Sequence, residues 1–298
     1  MQQIILGAIA LGLLWSIMAI GVYISYRILD IADLTAEGSI TLGAATAAAA
    51  IAKGISPASA SAHALIAGAC AGLVTALLQT KLKIPPLLSG ILTMIALYSV
   101  NLRIMGKANL PLLRVETVFS KLQDSGLTKN MATIVFGGCA ALIAVSLLYW
   151  FFGTEIGCAV RATGINERMS RAQGINTDAM KMIGLMLSNA LIALSGAFIA
   201  QYQSFADVQM GTGAIVIGLA SVIIGEVLFG KRHFFSRFVS VVFGAVTYRL
   251  IIAMVLKMGM NANDLKLFTA ISVGIALVLP AFADKMYSAK KSLTTRES

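Results

Sequence analysis

Two ionisable side chains stand within or at the end of long apolar segments, where the chemistry open to them is electrostatic. Arg249 lies inside one such segment and Glu226 near the end of another. Because a charge in an apolar membrane environment is costly, each is a candidate functional group. We expect Arg249 either to pair with an acidic residue of an outer loop or to face an aqueous cavity and attract a carboxylate. We expect Glu226 to meet Lys231 or Arg232, which would make it structural.

Side chains of the kinds that catalyse reactions or hold metals are scattered. The cysteines Cys70, Cys139 and Cys158 and the histidines His63 and His233 are far apart in the chain. Their spacing matches neither a disulfide framework nor a metal site. The apolar segments hold no paired carboxylates and no Ser/His/Asp set, so we expect no catalytic residues and no metal ligands.

One segment nearly matches a phosphate-binding loop. Residues 225–231 read Gly-Glu-Val-Leu-Phe-Gly-Lys, but Arg232 stands where a Ser or Thr would bind magnesium. The segment also ends an apolar run instead of following a strand. We therefore interpret it as a helix end, and we expect this chain to bind no nucleotide and no other cofactor.

The composition indicates a membrane protein. The chain has 298 residues, of which 58% are hydrophobic and 12% charged, whereas soluble proteins carry about 25% charged residues. The net charge of +10 lies mainly in loops and helix ends. A bias of basic residues toward the cytoplasm, with contact to anionic lipid headgroups, explains this charge more simply than nucleic-acid binding does.

Long apolar runs predict an all-α, polytopic bundle of transmembrane helices in a single domain spanning residues 1–298. A span needs about 20 apolar residues, and seven segments meet that length: 3–26, 60–80, 85–104, 131–152, 182–201, 235–256 and 266–283. Two shorter segments rich in Gly and Ala, 38–52 and 213–230, bring the count to nine, within a range of eight to ten. The basic residues then fall mostly on the side of the C-terminus, which we expect to be cytoplasmic.

An outer loop at about 105–130 is expected to contain a short surface helix. Val115, Phe119 and Leu122 have the spacing of one helical face. The helix would either pack on its own bundle as a lid or form a docking surface for an external solute-binding protein.

An internal repeat links the two short apolar segments. Ala32-Asp33-Leu34 followed by Gly38 is echoed by Ala206-Asp207-Val208 followed by Gly213. In the predicted topology the two copies enter the membrane from opposite sides. Short, Gly-interrupted segments at matching places in two halves are typical of inverted repeats and of a pathway at the membrane midplane. Chance similarity between Gly-rich and Ala-rich segments is the alternative.

The inner loop, at about 153–181, is predicted to contain a short capped helix. Asn166 is a good N-cap, Gly174 suits the left-handed position after a helix, and Thr177 can cap the helix that follows. Ile165, Met169 and Ala172 fall on one side of this element, while Glu167, Arg168 and Arg171 project elsewhere. The loop would either merely connect two spans or fit a groove on another protein.

This loop carries a resemblance to a known family. The run Arg161-Ala-Thr-Gly164-Ile-Asn166, continued by Ala172-Gln-Gly174-Ile-Asn176 and then Lys181, Ser188, Asn189 and Ser195, resembles the permeases of bacterial importers for branched-chain amino acids, ribose and related solutes. Residues 206–211 and 218–230 also match. The chain is most similar to the branch described as tryptophan/tyrosine-type transport permeases, through Leu265-Lys266-Leu267 and Tyr248-Arg249.

The resemblance implies a function and a set of partners. It implies the permease subunit of an ATP-driven (ABC) importer in the bacterial inner membrane, carrying an amino acid, with an aromatic one expected. ATP and Mg would be bound by a separate ATP-binding cassette ATPase, a solute-binding protein would deliver the solute, and a second permease subunit would complete a homodimer. An ion-gradient-driven secondary transporter is the alternative, and a scaffold without transport is a third class.

The resemblance also assigns residues to two roles. Coupling to the ATPase would involve the inner loop, through Arg161, Gly164, Asn166, Glu167, Arg168, Met169, Arg171 and Gly174. The translocation path would include Asp33, Ser39, Thr41, Asn189, Asp207 and Arg249.

Overall fold

The computed structural model describes residues 2–258, apart from 114, 124, 125, 127 and 231–233, together with residues 267, 270, 271 and 274. The described part of the chain is almost entirely helical. Its elements are α1 Gln2–Tyr23, continued by a π-helical turn Ile24–Ile28, α2 Thr35–Ala52, α3 Pro57–Thr80, α4 Pro86–Met105, β1 Asn109–Pro111, α5 Val118–Gln123, α6 Lys129–Gly153, α7 Glu155–Ile165, α8 Glu167–Ala172, α9 Thr177–Gln203, β2 Phe205–Asp207, α10 Ala214–Phe229 and α11 Phe234–Lys257.

Six helices in the described residues are long and apolar enough to cross a membrane: α1 through Ile28, α3, α4, α6, α9 and α11. Each coincides with one of the seven long segments predicted from the sequence. The two short predicted segments form α2 and α10, with 18 and 16 residues. The segment 266–283 lies outside the described residues except for four positions, so the count of nine spans stays a prediction.

Helix α9 is the centre of the bundle, and small residues let its neighbours approach it closely. A Cβ added at Gly43 of α2 would lie 1.8 Å from the carbonyl oxygen of Ala193. Added at Gly72 of α3, it would lie 2.3 Å from the carbonyl oxygen of Leu185. Gly72 of α3 therefore packs against a helix of the same chain, where backbones approach closely, as is common between membrane helices.

The two ends of the bundle differ. At one end, called here the loop end, α7 packs under the π-helical end of α1, and a Cβ at Gly164 would lie 1.8 Å from the carbonyl oxygen of Ile28. At the other end, called here the strand end, β1 pairs antiparallel with β2, with Asn109 opposite Asp207. The β1–β2 pair was not predicted from the sequence.

The strand end also carries the predicted surface helix, which is α5. Phe119 is fully buried and packs edge-on against Phe136 and Tyr202. The short helix was therefore predicted correctly, although it begins at Val118 and Val115 precedes it. Phe119 makes α5 a lid on its own bundle, and the idea that its outer surface docks a binding protein stays a prediction.

Helices α2 and α10 begin beside each other and run in opposite directions. The backbone N–H of Gly213, just before α10, donates to Oε1 of Glu37 in the first turn of α2 at 3.0 Å. From there α2 runs toward the strand end, where Ile51 packs in a cluster with Leu112. Helix α10 runs toward the loop end, where Glu226 pairs with Arg27. This arrangement is the one expected of inverted repeats.

Candidate functional site

The inner loop is built from three capped helices in succession. Asn166 closes α7 and caps α8, accepting a hydrogen bond from the backbone N–H of Met169 at 3.0 Å. Gly174 has a φ of +84° and ends the turn after α8, as predicted. The predicted cap at Thr177 is wrong, because Asn176, one residue earlier, accepts from Ala179 N at 3.1 Å. Thr177 is already inside α9.

Glu167 holds α8 to the start of α9 through two cations. Its carboxylate accepts from Lys181 Nζ at 2.7 Å and from Arg171 at 3.1 Å. The Lys181 hydrogen bond, above all, holds the pKa of Glu167 below its ordinary value of 4.5. The ionised Glu167 carboxylate therefore stabilises the loop fully at pH values above that ordinary pKa. This stabilisation is lost as the pH falls through the lowered pKa. At neutral pH, ion pairs therefore hold the loop together.

Arg171 contacts its own loop extensively. Besides Glu167, its guanidinium donates to the hydroxyl of Thr177 at 2.7 Å and to Asp178 at 3.4 Å. Lys83, from the connection between α3 and α4, lies 3.9 Å from the other carboxylate oxygen of Asp178. These contacts tie the loop to the α3–α4 connection.

An apolar surface with one cation is left exposed on the loop. We call Ile165, Arg168, Met169 and Ala172 the loop patch. Ile165 is 83% exposed and Met169 47% exposed, and Arg168 and Ala172 are exposed as well. Ser170, on the opposite side of α8, is fully buried. Ile165, Met169 and Ala172 are therefore turned away from the bundle, and Arg168, which was predicted to project elsewhere, is exposed together with them.

Two further loop residues predicted for coupling face the bundle. The guanidinium of Arg161 lies over the ring of Phe234, 4.4 Å from its centre. Gly164 allows α7 to touch the backbone of Ile28, where any larger residue would collide. Both residues fasten the loop to the ends of α1 and α11.

Three of the predicted path residues form a buried polar network at the break between α1 and α2. Asn189 Nδ2 donates to Oδ2 of Asp33 at 2.7 Å, and Ser39 donates to Oδ1 of Asn189 at 2.7 Å. The other oxygen of Asp33 accepts from the backbone N–H of Thr35 at 3.0 Å. Asp33, Ser39 and Asn189 are at most 2% exposed. They lie inside one subunit, where they brace the start of α2 against α9.

The remaining predicted path residues are dispersed. Asp207 is in β2 at the strand end and accepts from Asn109 at 3.2 Å. The guanidinium of Arg249 lies over the ring of Trp15, 4.2 Å from its centre, and its Nε has no hydrogen-bond partner among the described residues. Thr41 lines a cavity described below.

Glu226 has a partner that the sequence analysis did not consider. It pairs with Arg27, from the π-helical end of α1. Lys231 and Arg232, the partners expected for it, lie outside the described residues. The ion pair joins the ends of α1 and α10 at the loop end.

A cavity of about 380 Å³ opens between α2, α4 and the start of α10. We call it the α2–α4 cavity. It lies within the usual size range of small-molecule sites, about 300–1,000 Å³. Its lining combines one carboxylate, several hydroxyl and amide groups and an apolar side: Glu37, Gly38, Thr41, Met94, Ile95, Tyr98, Ser99, Asn101, Val208 and Thr212.

The sequence analysis missed most of this cavity. The available signal was Glu37, an acidic residue directly before the short apolar segment 38–52, which is a candidate functional group for the same reason as Glu226 and Arg249. Asn101 and Tyr98 carried no such signal, because polar and aromatic residues are common in membrane helices. Only the packing of α4 beside α2 brings them to Glu37.

The chain is similar to known transport proteins. A family model described as branched-chain amino acid transport system, permease component, matches residues 4–279. A tyrosine transport system permease protein of Clostridioides difficile (strain R20291) is 43% identical over 90% of this chain and 88% of its own length. An uncharacterized protein of Rickettsia prowazekii is 32% identical over 93% of this chain and 97% of its own.

More distant similarity points the same way. The ribose import permease protein of Escherichia coli (strain K12) is 26% identical over 70% of this chain and 65% of its own length. No solved structure matches the chain. Six membrane-length apolar helices together with the family match make this a multi-pass membrane protein. The chain thus belongs to the family of branched-chain amino acid transport system permease components.

Proposed function

We propose that this chain is the membrane-spanning subunit of an ATP-driven importer of an amino acid with an aromatic side chain, in the bacterial inner membrane. The similarity to a tyrosine transport system permease supports the solute class. ATP hydrolysis takes place on a separate cassette ATPase, and a solute-binding protein delivers the solute. A second copy of the permease completes the pathway.

The exposure of the loop patch is the observation that supports coupling of this loop to the ATPase. Large apolar side chains at the exposed tip of a loop, such as Ile165 at 83% exposure, are typical of residues that insert into a partner. The loop beneath them is held by the Glu167 ion pairs and by two helix caps. A rigid element of this kind transmits movement of a bound partner to the membrane helices.

The contacts of the loop indicate how such movement would spread. Gly164 touches the end of α1, Arg161 touches α11, and Lys83 touches Asp178 from the α3–α4 connection. A displacement of α8 therefore acts on several helix ends at once. Closure of the ATPases on ATP would shift the permease between outward-facing and inward-facing states.

Basic residues support a cytoplasmic position for the loop end. Arg27, Lys83, Arg161, Arg171 and Lys181 all make their contacts there. Loops rich in Lys and Arg stay on the cytoplasmic side. The loop patch is then on the same side as a cytoplasmic ATPase, and the strand end faces the solute-binding protein.

The test measures how much ATPase co-purifies with variants of the loop patch. Ile165→Asp and Met169→Asp place charges in an apolar contact. Recovery of a co-purifying ATPase should then fall at least about tenfold, which corresponds to a loss of about 1.4 kcal/mol of binding free energy. ATP-dependent uptake of radiolabelled L-tyrosine should fall at least about tenfold as well. Charge reversal at Arg168 should act in the same direction. Leu113→Asp, which is 75% exposed but lies at the strand end, is the control for ATPase recovery, which it should leave unchanged.

Two results would contradict the proposal. Full ATPase recovery with both aspartates in place would exclude the loop patch as the docking surface. L-tyrosine uptake that persists without any ATPase and collapses with an ionophore would identify a secondary transporter instead.

A further inference from the structure

The α2–α4 cavity lies deep in the membrane part of the molecule. Helix α2 starts beside Asp33, which contacts Asn189, and Asn189 is about 18 Å along α9 from the start of that helix at 1.5 Å per residue. Glu37 is one helical turn further toward the strand end. The cavity therefore opens near the middle of the bilayer, on the strand side of the midplane.

The presence of Glu37 excludes a lipid environment for this opening. Glu37 is only partly buried, and it is the one acidic side chain among the described residues that line the cavity. A carboxylate at this depth facing lipid tails would be unfavourable, and such groups face a bundle interior or an aqueous cavity. The cavity mouth is accordingly turned toward water or toward a second subunit.

Glu37 has the hydrogen-bonding capacity to receive a cation. Its Oε1 accepts the N–H of Gly213 at 3.0 Å, and a carboxylate offers about four acceptor positions. Among the residues that the structure describes, no Lys, Arg or His lines the cavity. An ammonium group entering the cavity would meet an acidic group without a lining cation competing for it.

Asn101 brings a buried amide group to the lining of the cavity. Its side chain is 1% exposed, and its Nδ2 donates to the carbonyl oxygen of Gly38 at 3.3 Å. Its Oδ1 has no hydrogen-bond partner among the described residues. A buried acceptor without a donor is unfavourable, and in native proteins it often marks the place of a ligand or water.

The other side of the cavity is apolar and ends in an aromatic ring. Met94, Ile95 and Tyr98 follow one another along α4, and Val208 closes the cavity from the segment after β2. Tyr98 is 49% exposed, so its ring is open to a ligand. The hydroxyls of Ser99 and Thr212 can donate to a carboxylate.

We propose that the α2–α4 cavity binds the amino acid during its passage, with Glu37 receiving the α-ammonium group and Tyr98 contacting the side chain. The inference rests on the proposed import of an amino acid and assigns the chemical class recognised inside the membrane: a zwitterion with a large apolar side chain. Glu37 also holds the start of α10, so occupation of the cavity is transmitted to both short helices.

The experiment measures thermal unfolding of the full chain with its co-purifying subunits in lipid nanodiscs. The probes are L-phenylalanine, 2-phenylethylamine, which lacks the carboxylate, and 3-phenylpropionate, which lacks the ammonium group. L-phenylalanine should raise the Tm in a saturable manner, as a ligand of the native state does. 2-Phenylethylamine should raise it less, and 3-phenylpropionate should leave it unchanged.

Two variants test the assigned residues. Glu37→Gln should weaken the apparent affinity for L-phenylalanine at least about tenfold, since a charged hydrogen-bond partner is lost. Tyr98→Ala removes a half-exposed ring without opening the core, so it should keep the unliganded Tm and lose most of the L-phenylalanine shift. Leu88→Ala, at a similarly exposed position of α4 outside the cavity, should behave as wild type.

The outcomes separate this inference from the proposed function. An equal Tm rise with 3-phenylpropionate, or unchanged shifts in both cavity variants, would overturn the inference even if ATP-dependent uptake is found. The expected ligand pattern without any recovered ATPase would support the cavity and reject the ATP-driven importer.

Discussion

At the residue scale, Asn189 decides how the break between α1 and α2 is held. Its amide donates to the Asp33 carboxylate and accepts from the Ser39 hydroxyl, with both distances 2.7 Å. The two groups lie 156 and 150 residues away in the chain. A buried carboxylate needs such donors because its hydration has been lost. One amide side chain therefore joins α9 to both sides of the start of α2.

Replacing this amide is expected to destabilise the chain. Asn189→Leu removes the hydrogen bonds that Asn189 makes to Oδ2 of Asp33 and to the Ser39 hydroxyl, which should lower the free energy of unfolding by about 3 kcal/mol. Thermal unfolding in nanodiscs measures the loss. Asn130→Leu is the matched control, because Asn130 makes only long hydrogen bonds of 3.3 and 3.5 Å at the strand end. Equal stability of the two variants would show that the buried network contributes little.

At the element scale, α2 and α3 pack closely against α9 at glycine residues rather than through large side chains. Gly43 and Gly72 permit contact between backbones, and Gly196 does the same from α9 toward Ile40. Without a hydrophobic force between helices in lipid, such close packing is a main source of association. The short helix α2 depends on it most, because α2 carries the polar groups of both the buried network and the cavity.

Filling one of these contacts should separate the helices. Gly72→Leu drives a side chain into the backbone of Leu185, where even a Cβ would lie 2.3 Å from the carbonyl oxygen. The free energy of unfolding should fall by at least about 3 kcal/mol. The same change at Gly138 of α6, where a Cβ would meet nothing within 4 Å, should be nearly neutral. Similar losses for both variants would contradict the packing argument.

At the scale of the whole molecule, the two ends of the bundle are chemically distinct. The loop end gathers cations around Glu167, Asp178 and Glu226. The strand end joins β1 to β2 and is covered by α5. This asymmetry suits a protein that receives a solute on one side and a driving partner on the other.

Thiol labelling checks the orientation of the molecule. In a background lacking Cys70, Cys139 and Cys158, the variant Leu113→Cys should react with a membrane-impermeant thiol reagent in intact spheroplasts. Ile165→Cys should react only after the membrane is permeabilised, because basic loops stay inside. Both positions are highly exposed, at 75% and 83%. The reverse labelling pattern would invert the topology and remove the loop patch from the cytoplasm.

Local features of the chain were predictable because they depend on neighbours in the sequence. Hydropathy located the six long helices, and the caps at Asn166 and Gly174 located α8. The predicted cap at Thr177 was wrong, because Asn176 caps α9 instead. The pairing of Glu226 with Arg27 was not foreseen, because the two residues are far apart in the chain. Neither choice can be derived from the spacing of residues along the chain.

Span length, composition and the loop motif are local properties of the chain, and they were enough to identify a multi-pass helical membrane protein of a transport permease family. Tertiary structure decided which polar residues meet. Asp33 and Asn189 became a brace within one subunit, whereas Glu37 and Asn101 line the same cavity. The reason is physical: hydropathy sets how deep a residue lies, but only the packing of helices sets which side chains face each other.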